Sequence, residues 1–208
     1  MKTNHKIMKR ISLSLFFCAT LFFAGCKNEK KENENEEMND TEMNSDMNDM
    51  NQQAEEENQS VTVNLQSKSG SDASGTVTFT EENGEVTMEA DVSGLKEGKH
   101  GIHIHEKGDC SADDGSSAGG HWNPTDEQHG KWGDSEGYHK GDIGNIEVDA
   151  DGNGHLSMTT DEWCIGCDDA NKNIVGKSII VHEGADDFKS QPSGASGKRV
   201  ACGTIEQM

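Results

Sequence analysis

The chain has 208 residues, and its 39 acidic and 18 basic side chains give a formal net charge of -21. This charge argues against nucleic acid as a partner, because phosphate contacts need an excess of lysine and arginine. Aromatic residues make up only 5% of the chain, so we expect a modest aliphatic core that would gain from disulfide bonds or metal ions.

The N-terminus has the pattern of a targeting segment. A basic start precedes the apolar run ISLSLFFCATLFFAG, which is too short to span a bilayer easily. Two small residues then precede Cys26, as in a bacterial lipobox. We predict a lipoprotein signal peptide over residues 1–25 and a lipid anchor on Cys26, which would hold the protein at a membrane of the bacterial cell envelope, on the periplasmic face or the cell surface. The alternatives are an ordinary secretory signal and an uncleaved anchor, and all three lead to a compartment where disulfides persist.

Residues 26–60 form a strongly acidic segment whose few apolar residues are mostly methionines. Such a composition cannot offset the entropy lost on ordering, so we predict a disordered tether. Met38, Met43, Met47 and Met50 lie among its polar residues. Because thioethers suit Cu(I), copper capture by the tether is an alternative to a plain solvated spacer.

Residues 61–208 are predicted to form one globular domain built from short strands. Apolar and polar residues alternate in VTVNLQ and on both sides of Asn83-Gly84, which predicts a strand and then a hairpin. A second hairpin is predicted around ADGNG, and further strands in KSIIVHE and VACGTIEQ. The absence of helical periodicity predicts an all-β antiparallel sandwich or barrel. Residues 108–141 have almost no strand pattern, and a loop of that length is usually functional or anchored.

Histidines cluster in and around this long loop. In HGIHIHE, the alternation of side chains places His103 and His105 on one face of a strand and two isoleucines on the other. We predict that the isoleucines fill the core and that the imidazoles, on the outer side, share a metal ion. His100 breaks this period, and His155 is assigned to a polar turn. Imidazole suits zinc and copper, and carboxylate also suits zinc. The remaining candidates are His121, His129, His139, Asp142 and His182.

Five stretches of the sequence resemble, in the same order, the signatures of the copper/zinc superoxide dismutases. They are GIHIHEKGDC, SAGGHWNP, HKGDIGNI, IIVHEGADD and GKRVACGTI, and the resemblance covers nearly all of residues 61–207. It implies a Greek-key antiparallel β-barrel with long metal-binding and electrostatic loops, present as a monomer or homodimer. It also implies disproportionation of superoxide to oxygen and hydrogen peroxide, with copper and zinc as cofactors. A copper-binding or storage lipoprotein on a dismutase-like fold is the alternative.

The resemblance also implies roles for individual residues. Arg199 would lie beside copper and receive the anionic substrate, and His121 would bridge the two metals and take part in catalysis. Asp186 would link the outer nitrogens of a copper histidine and a zinc histidine. The segment GKWGDSEGY, between two of the zinc histidines, departs from the family pattern. The implied copper ligands are His103, His105, His121 and His182. The implied zinc ligands are His121, His129, His139 and Asp142.

The chain has six cysteines. One would leave with the signal peptide and another would carry the lipid. By resemblance, Cys110 and Cys202 match the disulfide of the family. Cys164 and Cys167, in a C-x-x-C motif that the family does not share, are expected to form a short-range disulfide. A redox pair or half of a metal site are the alternatives, and four cysteines allow three pairings.

Overall fold

The computed structural model describes residues 58–207, so the predicted signal peptide, Cys26 and nearly all of the tether lie outside the described residues. The described residues belong to one compact unit. None of their helical structure has the length and hydropathy of a membrane-spanning helix. Their elements are β1 (Gln59–Ser67), β2 (Ser74–Glu82), β3 (Glu85–Ser93), β4 (Gly98–His105), a 3₁₀ helix (Ser116–Ala118), β5 (Gly144–Val148), β6 (Gly154–Thr160), β7 (Ser178–His182) and β8 (Arg199–Thr204).

The strands form a closed barrel in the order β1-β2-β3-β6-β5-β4-β7-β8, and all neighbouring strands are antiparallel. The barrel closes where Gln66 and Ser67 of β1 pair with Cys202 and Ala201 of β8. The strand order departs from the chain order after β3 and after β4, as in a Greek key. The predicted all-β Greek-key barrel is confirmed.

The predicted hairpins are present. Asn83 and Gly84 have φ angles of 54° and 78°, which is the conformation of a two-residue type I′ turn, and the strands on either side pair from Glu82 and Glu85 onward. The second hairpin joins β5 and β6. Two details differ from expectation. β1 begins at Gln59, because its pairing with β2 extends two residues beyond the predicted boundary, and His155 lies in β6 rather than in a turn.

The barrel core is aliphatic, as the composition suggested. Inward-facing residues alternate along the strands and are almost fully buried, and each such side chain stabilises the fold by about 1.5–3 kcal/mol. Ile102 and Ile104 of β4 lie in this core with no exposed surface. The largest other members are Phe79, Met88, Ile146, Trp163, Ile165, Ile174, Ile179 and Ile205.

Two long loops pack against the face of β4 that points away from the barrel core. Residues 106–143 connect β4 to β5, and residues 183–198 connect β7 to β8. The amide of Trp122 in the first loop donates to the carbonyl of Ile104 over 2.9 Å, and Gly101 donates to the carbonyl of Gly184 in the second loop over 2.8 Å. One strand of the barrel is therefore covered by both loops.

Candidate metal centre

Four histidines converge where the two loops meet β4. Two of them alternate with the core isoleucines on β4, and a third ends the neighbouring strand β7. The fourth lies in the loop 106–143 and forms an isolated backbone bridge with His105. One ring nitrogen of each histidine lies within 4.8 Å of those of the other three, and no member is more than 7% exposed. The imidazoles predicted on the outer side of β4 are thus buried by loops. The four are His103, His105, His121 and His182.

Each of these imidazoles has one nitrogen fixed and one nitrogen without a hydrogen bond. Nδ1 of His105 donates to the carbonyl of Gly119 over 3.0 Å. Nδ1 of His182 donates to the carbonyl of Gly197 over 3.3 Å. A bond on one ring nitrogen leaves the lone pair of the other free for a metal ion. Buried nitrogens without partners are rare in folded proteins, so this donor set fits a metal ion that imidazole prefers, such as copper or zinc. The unpartnered atoms are Nδ1 of His103 and Nε2 of His105, His121 and His182.

The electrostatics keep these imidazoles neutral. Burial lowers the pKa of His121 to about 4 and that of His182 to about 3. Burial also lowers the pKa values of His103 and His105. Because only a neutral imidazole can give its lone pair to a metal, the four histidines are ready to bind one at neutral pH.

A second group surrounds the carboxylate of Asp142, which is fully buried. The Nδ1 atoms of His121, His129 and His139 lie 2.8, 3.0 and 3.1 Å from its oxygens. Burial alone would raise the pKa of Asp142, but the hydrogen bonds with the three histidines hold it well below its usual range. Three imidazole nitrogens and one carboxylate oxygen within 4.8 Å of one another match the tetrahedral ligand set of zinc.

Asp186 connects the two groups. Its Oδ2 lies 2.8 Å from Nε2 of His103, and its Oδ1 lies 2.9 Å from Nε2 of His129. Asn145 holds the backbone of Asp186 through bonds of 2.8 and 2.9 Å. Burial lowers the pKa of His129, but the carboxylates of Asp142 and Asp186 outweigh it and raise that pKa to about 9. This part of the site therefore favours a positive charge.

Arg199 stands at the entrance to the histidines. Its two terminal nitrogens, Nη1 and Nη2, donate to the carbonyls of Gly115 and Gly119 over 2.7 Å each. These bonds fix the guanidinium on the rim of a cavity of about 360 Å³, which His105, His121 and His182 also line. A fixed cation at the mouth of a cavity attracts small anions.

The described residues contain two disulfides. Cys110 is bonded to Cys202, 92 residues later, which ties the loop 106–143 to β8 three residues after Arg199. Cys164 is bonded to Cys167 in the connection between β6 and β7. His100 is buried at 4% exposure, and its ring nitrogens contact the backbone carbonyl oxygens of His182 and Lys96, so His100 belongs to neither ligand group.

Sequence patterns did not identify two residues that shape the site. Gln191 accepts a hydrogen bond from the amide of His129 over 2.9 Å and donates to its carbonyl over 2.8 Å. Gly194 lies so close to Asp186 that a Cβ there would overlap its Oδ1 and approach Nε2 of His129 to 2.7 Å. Each residue places the loop 183–198 against His129 of the other loop, so local periodicity carries no signal for either.

Residues 73–205 match the model of the copper/zinc superoxide dismutase family. The chain belongs to this family. It is 40% identical over 137 residues to the extracellular superoxide dismutase [Cu-Zn] of Caenorhabditis elegans, and the alignment covers 63% of this chain and 60% of that protein. It is 41% identical over 108 residues to the superoxide dismutase-like protein YojM of Bacillus subtilis (strain 168), covering 50% and 54%. The matches thus span less than two thirds of these relatives.

Solved structures share the dismutase fold. The clock protein EA4 superposes with a TM-score of 0.63 at 31% identity, over 72% of this chain and 94% of that one. A SOD-like protein from Bacillus subtilis, in a double mutant that replaces a tyrosine and a proline with histidine, gives a TM-score of 0.63 at 36% identity, over 70% and 97%. These likenesses agree with the barrel described above.

Proposed function

We propose that the protein is a superoxide dismutase that converts superoxide to oxygen and hydrogen peroxide at a copper site bridged to a zinc site. The observation that carries this proposal is the position of His121. Its Nδ1 contacts Asp142 in the second group, while its Nε2 is unpartnered among the copper-side histidines. One imidazole thus belongs to two ligand groups at once. Copper would be held by His103, His105, His121 and His182, and zinc by His121, His129, His139 and Asp142.

The reaction consumes two superoxide anions and two protons and yields one oxygen and one hydrogen peroxide. Copper, when bound, supplies the one-electron redox change, whereas zinc has none to supply. Arg199 would attract each superoxide anion into the cavity. Nε2 of His121 would hold a proton and pass it to the reduced product, while Nδ1 stays on the side of Asp142.

The net charge of -21 does not oppose binding of an anion. Charges more than about 8 Å away are largely screened at physiological ionic strength, and many of the acidic residues lie in the predicted tether. The local field of Arg199 therefore decides the approach. Lys189 and Lys198 are exposed, and neither lines the cavity.

Replacing Arg199 tests the proposal. We expect Arg199→Ala to lower the rate of superoxide consumption by tenfold or more, within the roughly 10–1000-fold range of electrostatic steering, and to weaken its dependence on salt. Bound copper and zinc, measured by mass spectrometry, should not change. Lys198→Ala removes the same charge from the neighbouring exposed position and is the matched control. Unchanged turnover in Arg199→Ala would overturn the role of Arg199.

A copper-binding or storage protein is the second candidate, because one relative is named only as dismutase-like. Such a protein would bind copper in the same site without consuming superoxide. A copper-loaded and zinc-loaded sample that is inactive in a superoxide assay would favour storage. Deleting residues 27–57, which leaves β1 intact, then tests the tether, since loss of a methionine-based capture site should lower copper loading when copper is limiting.

We also propose that the protein is held at the cell envelope by a lipid on Cys26. Two disulfides in the described residues support export, since such bonds persist outside the cytosol. One relative is named as extracellular. Cys26→Ser should move the protein from the membrane fraction to the soluble fraction, and a variant that stays with the membrane would contradict the anchor.

A further inference from the structure

Two segments that fall outside the family signatures contact each other in the structure. One is the GKWGDSEGY segment, residues 130–138, and the other leads from β6 into the second disulfide. Glu162 joins them. Its Oε1 accepts a hydrogen bond from the hydroxyl of Tyr138 over 2.6 Å, and its Oε2 forms an ion pair with Lys140. A single carboxylate therefore holds both neighbours of His139.

Trp163 anchors this contact in the barrel. Its indole nitrogen donates to the carbonyl of Lys140 over 2.9 Å. The ring is only 1% exposed and packs edge-on against Phe79 of β2, with centroids 6.0 Å apart. Trp132 stands between the rings of Trp163 and Tyr138, at 5.2 and 5.1 Å. The loop around His139 is thus attached to a residue that cannot move without disturbing the core.

His139 needs such an attachment because no strand carries it. On the inner side, its amide donates to Oδ2 of Asp142 over 2.8 Å, and its Nδ1 lies 3.1 Å from Oδ1. On the outer side, Glu162 and Trp163 hold the residues before and after it. The backbone of His139 is fixed from both sides.

We propose that Glu162 is a positioning residue for the zinc ligand His139, acting together with Trp163 as a clamp on Tyr138 and Lys140. This inference rests on the proposed zinc site. Ligands that are oriented by outer partners lose affinity for their metal when those partners are removed, typically by 10–100-fold. The clamp would therefore set how tightly the zinc site holds its ion, and it would leave the copper ligands on β4 and β7 unaffected.

The test uses the full-length protein with Co(II) as a spectroscopic probe of the zinc site. We expect Glu162→Ala to weaken Zn(II) and Co(II) affinity by about 10–100-fold and to change the visible spectrum of bound Co(II). Glu162→Gln, which keeps an acceptor for Tyr138 but loses the charge that pairs with Lys140, should fall between. Glu85→Gln is the control, since it removes a carboxylate that is exposed at the start of β3.

Copper affinity of the same variants reports on the fold. If Glu162→Ala also loses copper, Tyr138→Phe decides the question, because it removes one hydroxyl and should still shift the Co(II) spectrum. Zinc affinity and spectrum equal to those of the parent in Glu162→Ala, or an unshifted spectrum in Tyr138→Phe, would overturn the clamp. A parent that binds zinc but lacks dismutase activity would refute the proposed function while leaving these clamp measurements valid. A parent that binds neither Zn(II) nor Co(II) would overturn both.

Discussion

The proposed copper side and the proposed zinc side of the centre are built in different ways. Three of the four copper-side histidines lie on the adjacent strands β4 and β7, whose backbones are paired in the barrel. All four zinc-side residues lie in the loop 106–143. Strand pairing fixes the first set, whereas side chains from elsewhere must hold the second. Those side chains are Gln191 and Glu162, whereas Asp186 contacts one histidine of each set.

This difference has an energetic consequence. A side-chain hydrogen bond contributes about 1 kcal/mol, and a single substitution removes it. A strand position, in contrast, is held by many backbone bonds and by core packing. We therefore expect single substitutions outside the ligands to affect zinc binding much more than copper binding.

Removing one ligand from each side should give the largest effect. We expect His105→Ala to reduce superoxide consumption to the background rate, because copper supplies the redox change. His139→Ala should lose zinc but keep measurable activity per bound copper, because zinc has no redox chemistry. Activity and metal content measured on the same samples check this. Dismutase activity retained in His105→Ala, or no activity per bound copper in His139→Ala, would contradict the division of roles.

The pH dependence of the metal-free protein should separate the two sides. The unfolded chain takes up protons on His121 and His182 below pH 6.5, whereas the folded chain does so only near pH 4 and 3, so stability falls as pH drops from 6.5. His129 has the opposite sign. Its folded pKa of about 9 means that its contribution is complete below 6.5 and is lost as pH rises toward 9.

We therefore expect the metal-free protein to be most stable near pH 6.5, with the steeper loss on the acid side. His103 and His105, whose pKa values are also lowered, add to the acid loss. Since each unit of pKa shift corresponds to about 1.4 kcal/mol, the acid loss should reach several kcal/mol. Urea denaturation at several pH values measures it. Stability that increases from pH 6.5 to pH 4.5 would contradict the assigned shifts.

The two disulfides should differ in a similar way. Cys110 and Cys202 are 92 residues apart, and loss of this bond should destabilise the protein by about 4.6 kcal/mol. Cys164 and Cys167 are three residues apart, so the corresponding cost is about 2 kcal/mol. Paired Cys→Ser variants compared by urea denaturation test the ranking. A larger loss for the C-x-x-C pair would contradict the loop-length argument.

Local patterns predicted much of the barrel but not the attachments of its loops. Alternation identified the strands and placed Ile102 and Ile104 in the core, because burial of one face imposes a period of two. The long family signatures predicted which histidines lie together. The start of β1 and the place of His155 were missed, since polar outward-facing residues look alike in strands and turns.

Long-range side-chain contacts could not be predicted from the sequence, and the reason is physical. Gln191 and His129 are 62 residues apart, and Glu162 and Tyr138 are 24 apart. Neither pair leaves a periodic pattern, because each depends on how two loops fold over the barrel. C-x-x-C and GKWGDSEGY could be recognised as unusual in the sequence, but only the fold shows that the segments around them are in contact.

Substitution of Gln191 provides the smallest and most selective test of the difference between the copper side and the zinc side. Gln191→Met keeps the length of the side chain and removes both hydrogen bonds to the backbone of His129. Two such bonds amount to about 1–2 kcal/mol, so we expect zinc affinity to fall about tenfold, while copper affinity changes less than about twofold. Competition with a chelator measures both. Gln66→Met, on the exposed face of β1, is the control. Equal losses of zinc and copper would mean that the two sides are held together rather than separately, because the hydrogen bonds of the Gln191 side chain join it to His129 and Lys189 and to none of the copper-side histidines.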